Sequence, residues 1–263
     1  MIEAHNLIKI PEVRHGFFTR EGGYSTGDYA GLNCIFGTGD DPEIVQRNRR
    51  HIATALGLDA DRLVTPYQHH SADVVAVMQP WTRADAPKAD GLVSATPGIA
   101  IGITTADCAP VLFADAKENV IGASHAGWRG AIAGVTDQVV VEMERLGARR
   151  ETIAAAVGPT ISAANYEVGA EFHEQFLDAD SDNARFFQPS ARDGHFMFDL
   201  PAYLEHRLAA AELGSVQRTG QCTYADDQMF YSYRRATHRG EATYGGQISA
   251  ITLGPDAFMR ESE

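Results

Sequence analysis

Short apolar runs at 99–103, 111–113, 120–123 and 153–157, bounded by turn residues, interrupt an otherwise mixed chain. Their length and β-branched content predict strands, and the lack of polar alternation predicts that both faces are covered. Further strands are predicted at 230–233 and 248–253. Helices show a different period. Asp41-Pro42 reads as an N-cap followed by proline at the first helical position, and Ile44, Val45, Ile52, Ala55 and Leu56 mark one face of a helix ending near Gly57. Arg47, Arg49 and Arg50 ride on it. A second helix follows Gly130, with Ile132, Val135, Val139, Met143 and Leu146 stepping by three and four before Gly147, and a third begins at Asp199-Leu200-Pro201 and carries Leu204, Leu208 and Ala211. Strands outnumber helices without alternating strictly with them. The expected fold is therefore α+β, a layered single domain over 1–263 with a mixed β-sheet and flanking helices.

Composition narrows the setting. With 263 residues, 44% hydrophobic and 22% charged, the chain can bury one sizeable core, and no repeat or low-complexity tract divides it. The start, Met1-Ile2-Glu3-Ala4-His5, lacks a basic segment followed by an apolar one, and no window approaches the roughly 18 unbroken apolar residues of a membrane span. A cytoplasmic protein with no membrane partner is expected, as a monomer or small homo-oligomer. Lysine and arginine number 22 against 35 aspartates and glutamates, and the net charge of −13 repels polyanions, which excludes nucleic acid as a partner. A small anion can still bind where arginines and backbone N–H groups gather. Cys34, Cys108 and Cys222 are odd in number and widely spaced, which argues against a disulfide framework. Cys34 and Cys222 read as small buried hydrophobes.

Three stretches carry the chemistry: Gln68-His69-His70-Ser71, Thr105-Ala106-Asp107-Cys108-Ala109-Pro110 and Ser124-His125-Ala126-Gly127-Trp128-Arg129-Gly130. Histidine, cysteine and histidine suit a Zn2+ ion with its fourth position open, the arrangement of a catalytic site, and their wide spacing argues against a zinc finger. Neighbours on a strand face opposite sides, so one of His69 and His70 reaches the metal, and the residues alone leave open which. Asp107 reads as an acceptor that orients a ligating imidazole, as a general acid or base, or as a turn-forming residue. His125, at the end of a strand and before Gly127-Trp128-Arg129-Gly130 and a helix, suggests an anion held by first-turn N–H groups and the Arg129 fork. Trp128 reads as core.

Other motifs complete the set: His15-Gly16-Phe17-Phe18-Thr19-Arg20, Leu32-Asn33, Gly39-Asp40-Asp41, Asn48-Arg49, Ala89-Asp90-Gly91-Leu92-Val93, Tyr166-Glu167-Val168-Gly169, and Cys222-Thr223-Tyr224 before Phe230-Tyr231-Ser232-Tyr233-Arg234-Arg235. Over nearly its whole length the chain resembles the zinc-dependent purine nucleoside phosphorylases, also described as laccase-domain or multicopper polyphenol oxidase proteins. The resemblance implies His70, Cys108 and His125 as zinc ligands. It also implies phosphate-dependent cleavage of adenosine, inosine, guanosine and methylthioadenosine, with adenosine deamination alongside. Purine nucleosides and phosphate are then the partners, and Asp107, Cys108 and His125 the catalytic residues. Arg49, Arg129 and Arg234 are the candidates for phosphate or purine contacts. The chain departs from the family's pattern at His69, at Cys34-Ile35-Phe36, and at Thr243-Tyr244-Gly245-Gly246-Gln247, where the family's Thr-Gly-Arg is replaced and Arg239 is the nearest substitute.

Two rival chemistries use the same residues. A laccase reading takes copper on His2Cys, but the paired His-x-His set of an oxygen-reducing cluster is missing from the sequence. A metal-free thiol hydrolase takes Cys108 as nucleophile and His125 as its base. Outside catalysis, a nucleotide-binding or scaffold protein is the third alternative.

Overall fold

The computed structural model describes residues 1–254. Its centre is a six-stranded sheet in the spatial order Ser215–Arg218, Ile153–Val157, Ala109–Asp115, Val120–Ala126, Gly91–Ser94, Val74–Ala76. The inner pairings are antiparallel and the two outermost are parallel, so the sheet is mixed. A second sheet, ordered Val13–Phe17, Gln247–Leu253, Ala100–Thr105, Leu63–Val64, lies against one face of it.

The period of two in the central strand explains why its sequence is apolar throughout. Leu112 and Ala114 point into the layer between the sheets, where they meet Phe17, Ile101, Ile103 and Ile251. Val111 and Phe113 point the other way, to Val139, Val140 and Met143 of helix Val135–Arg145 and to Leu204 and Leu208 of helix Leu200–Ala210. That helix comes close because Gly122 lacks a side chain: a Cβ there would sit 2.8 Å from a Val139 methyl and 2.9 Å from the Met143 sulfur. On the far side, Ile52 and Ala53 of helix Pro42–Ala55 pack on Leu63, Ala100, Ile248 and Ala250 of the second sheet. Helices, sheet, sheet and helix make four layers, which is the layered α+β fold expected. A small sheet of Glu167–Gly169, His195–Phe198 and Phe187–Pro189 sits at the side, under helix Ala170–Ala179.

Helix ends follow the sequence closely. Asp41 accepts from Glu43 N, and Asp199 accepts from Ala202 N at 3.0 Å, each capping its helix ahead of a proline. Three expectations change. Residues 230–232 form no strand and Tyr233–Arg239 is a helix, capped by Ser232, because Ser232 and Asp107 supply acceptors to its first turn. The helix after Gly130 is two helices, Trp128–Ala133 and Val135–Arg145, separated at Gly134 with φ of 84°. His69 and His70 lie in a loop and not on a strand.

Candidate metal centre

Strand register brings the site together. Ala109 pairs with Ala126 and Pro110 with His125, so Cys108, one step before the strand, lies beside the turn that follows Ala126. His70 arrives from a loop pinned at both ends. The Gln68 carboxamide donates to Thr104 O at 2.7 Å and accepts from Thr104 N and Oγ1, each at 2.9 Å, fastening the loop to the neighbouring strand. The Asp90 carboxylate accepts from the N–H groups of His69, His70 and Ser71 at 3.1, 3.0 and 2.7 Å and from the Ser71 hydroxyl at 2.9 Å. His70 itself has φ of 64°, a left-handed conformation costing about 1 kcal/mol that these bonds offset.

The ligating atoms of His70, Cys108 and His125 all lie within 4.8 Å of one another. The two imidazoles meet edge to face, with centroids 4.8 Å apart. His125 is buried, Cys108 half-buried and His70 exposed, so the cluster opens on the His70 side. Gly127 makes the room: a Cβ there would stand 2.9 Å from both the Cys108 sulfur and His70 Cδ2. Gly127, two residues after His125, therefore leaves room for the Cys108 and His70 side chains. Helix Trp128–Ala133 is under two turns long and offers little dipole.

Asp90 also receives His125 Nδ1 at 2.8 Å, which leaves Nε2 to face Cys108 and His70. Burial would raise the Asp90 carboxyl, but the His125 and backbone hydrogen bonds win and hold it well below the usual carboxylate range. Burial likewise opposes ionisation of Cys108, yet the charge and hydrogen bond of His125, with those of His70, pull the thiol from 9.0 down to about 6. For His125 burial opposes the charged form too. The Cys108 charge and the Asp90 hydrogen bond outweigh it, lifting the imidazole to about 9. A thiolate facing two imidazoles, one backed by a carboxylate, fits zinc.

The Asp107 carboxylate takes a different place from the one expected. It accepts from Thr223 Oγ1 at 2.7 Å, Ser232 Oγ at 2.8 Å and Arg234 N at 2.7 Å, and the imidazole's acceptor is Asp90. Its own φ is 93°. Arg234 is thereby set near the cluster, with Nη1 on Glu167 O at 2.7 Å and the guanidinium 5.2 Å from the Tyr166 ring centre. Arg129 is exposed and lies 4.3 Å over the Trp128 ring, which in turn packs on Phe172. Burial and the Cys108 charge raise the Tyr166 hydroxyl while the charges of Arg234 and Arg129 act against them. Arg49 is elsewhere: it contacts Cys34 O, Thr65 Oγ1 and the Phe36 ring, and shares none of these with the ligand set. His69 turns to Asp73, 3.3 Å away. Cys222 is half-buried and polar in its contacts, accepting from Ser162 and Asn165. A cavity of about 270 Å³ lies apart from the ligand set, lined by Asn165, Tyr224, Asp227, Arg235 and Arg239. Arg239 is paired there with Asp227 at 2.9 Å.

Asp90, Gln68 and Tyr166 were not singled out by sequence reasoning as site residues. For Asp90 the signal was its place in the Ala89-Asp90-Gly91 motif.

Known proteins resemble this chain over most of its length. The family model for multi-copper polyphenol oxidoreductase laccase matches residues 14–254. A purine nucleoside phosphorylase of Deinococcus radiodurans is 41% identical over 237 residues, covering 89% of this chain and 87% of that protein. Another, from Mycobacterium tuberculosis, is 37% identical over 241 residues and covers 92% of each. A solved Neisseria meningitidis protein of the DUF152 family superposes with a TM-score of 0.83 at 33% identity, covering 92% of this chain and 95% of that one. A match across nearly the whole chain, in sequence and in fold, means that this protein belongs to the multi-copper polyphenol oxidoreductase laccase family.

Proposed function

We propose that the protein is a zinc-dependent purine nucleoside phosphorylase. It would cleave adenosine, inosine, guanosine and methylthioadenosine with phosphate to free base and ribose 1-phosphate. One observation carries the reading: His70, Cys108 and His125 converge, backed by Asp90, in a chain whose relatives are named purine nucleoside phosphorylases. In the reaction a phosphate oxygen bonds to C1′ of the ribose as the C1′–N9 bond breaks, and the purine leaves with the electron pair and takes a proton. His70, Cys108 and His125 would hold a zinc ion, which would supply Lewis acidity to the site. Asp90 holds the His125 imidazole in one tautomer and the His70 loop in one conformation. Arg129 and Arg234 flank Tyr166 and offer charge-assisted donors to the anion and to charge developing on the purine. The same site would deaminate adenosine, a C6–O bond forming with water as the C6–N bond breaks and ammonia leaves, to give inosine.

A second reading has one observation in its favour. The low Cys108 and high His125 values describe a thiolate–imidazolium pair, the resting state of a thiol hydrolase.

The test is product analysis with and without phosphate. Adenosine or inosine should give free base and ribose 1-phosphate only when phosphate is supplied, and Cys108→Ala should lose both zinc and turnover. Arg129→Ala should raise KM for phosphate more than KM for nucleoside, and Arg129→Lys should recover only part. Free ribose without phosphate would identify a nucleoside hydrolase instead. Turnover that survives complete zinc removal would favour the thiol reading, and a copper stoichiometry of three or four with phenol oxidation would favour the oxidase.

A further inference from the structure

Two arginines are buried among the described residues, Arg49 and Arg235, each 7% exposed. They are satisfied in opposite ways. Arg235 donates to the carbonyls of Thr223, Tyr224 and Phe230, and acidic Asp227 and Asp107 act on its charge. Arg49 has two neutral contacts, Thr65 Oγ1 at 3.0 Å and Cys34 O at 3.4 Å. The charged neighbour that acts on it is another cation, Arg83. Cys34 does not supply the missing charge, because burial pushes its thiol up to about 12. None of the ion pairs among the described residues includes Arg49 or Arg83. The nearest acid in sequence to Arg83, Asp85, takes the Thr82 hydroxyl at 2.6 Å.

A buried cation without an anion is costly, and one facing a second cation more so. Arg83 is exposed, so the uncompensated buried charge is that of Arg49, in a chain with 35 acidic residues against 22 basic. Both lie over the same aromatic ring, Phe36, with Arg49 5.3 Å and Arg83 4.4 Å from its centre. The preceding residue, Ile35, packs against Gly246, where a Cβ would stand 2.0 Å from Ile35 Cδ1.

We propose that Arg49 and Arg83 form a seat for a phosphoryl oxyanion, bordered by Phe36 and Thr65 and distinct from the His70, Cys108 and His125 set. The ligand is a dianionic phosphate group, which matches two planar forks and supplies the charge that the fold withholds. It comes from free inorganic phosphate or from the phosphate ester of a nucleotide. The seat does not depend on phosphorolysis at the metal centre.

The experiment is a calorimetric and thermal-melt titration of the full-length, zinc-loaded protein with inorganic phosphate and, separately, with adenosine 5′-monophosphate. Wild type, Arg83→Ala, Arg49→Met and the surface control Arg145→Ala are compared, each also in an Arg129→Ala background to separate the metal-centre anion. Phosphate or the nucleotide should bind wild type and Arg145→Ala alike, and about tenfold or more weaker to Arg83→Ala in either background. Binding of the nucleotide alone assigns the ligand as an ester, and binding of phosphate as well assigns the free anion. Arg49→Met should melt higher than wild type without ligand and show no upward shift with it, since it removes an uncompensated charge. Equal affinity in wild type and Arg83→Ala would overturn the proposal, as would failure of both ligands to bind wild type.

Discussion

At the scale of single residues the cluster of His70, Cys108 and His125 was legible because histidine and cysteine advertise metal chemistry in any sequence, whereas its support was not. Asp90 is an ordinary acid until folding sets it under His125, 35 positions away in the chain, and against the backbone of 69–71. Its role depends on contacts that spacing does not encode. Asp90→Asn keeps the shape but replaces one acceptor oxygen with a donor and removes the charge behind the imidazole. Zinc affinity should fall about 10–100-fold by chelator competition, with the fold retained; unchanged affinity would show that the carboxylate is dispensable. Gly127 makes a separate point. Its φ of −68° suits any residue, so Gly127→Ala introduces no backbone strain and tests the Cβ contacts with Cys108 and His70 alone. The variant should stay folded by circular dichroism and hold substoichiometric zinc, and full occupancy would mean that the ligands can move aside.

Elements were legible where local chemistry and burial agree. The helix Pro42–Ala55 announces its cap, its proline and its apolar stripe in the sequence, and Gly57 behind it has φ of 77°. Residues 230–233 misled because aromatic residues favour strands, and the acceptor that turns them into a helix start belongs to a distant loop. That acceptor is Asp107. Its carboxylate joins the Cys108 loop to Thr223 and to the first turn of Tyr233–Arg239, while its carbonyl takes Thr160 Oγ1 at 2.7 Å and Ile161 N at 3.0 Å. Four segments meet at one residue. Asp107→Ala would strand two buried hydroxyls and one N–H, each costing about 1–3 kcal/mol when left without a partner. Denaturant melts should show a loss of roughly 3 kcal/mol or more, with Asp107→Asn recovering part. A loss below about 1 kcal/mol would mean that water replaces the carboxylate.

For the molecule as a whole, layering was legible because apolar runs without alternation require cover on both faces. That the cover on one side is a second sheet was not, since pairing partners such as Val13–Phe17 and Gln247–Leu253 lie at opposite ends of the chain. This pairing gives the folded state a titrating group. His15, on the first of these strands, is buried and neutral, its Nε2 accepting from Ala4 N at 2.8 Å, so the N-terminal segment is tied to the sheet by an unprotonated imidazole. Burial lowers its pKa from 6.5 to about 4. The unfolded chain therefore takes up a proton first as pH falls. Stability from this group is complete above about pH 6.5 and lost as pH drops towards 4, by an amount of order 3 kcal/mol. The strongly hydrogen-bonded Asp90 carboxylate adds its own loss only in more acid solution. Acid also releases metal from imidazole and thiolate ligands in the same range, so the wild-type curve alone would mix two effects. His15→Gln separates them: a carboxamide oxygen offers the Ala4 N–H an acceptor and does not titrate. In paired urea melts the variant should lose less stability than wild type between pH 6.5 and 4. Parallel curves would show that His15 is charged, or free to charge, in the folded protein.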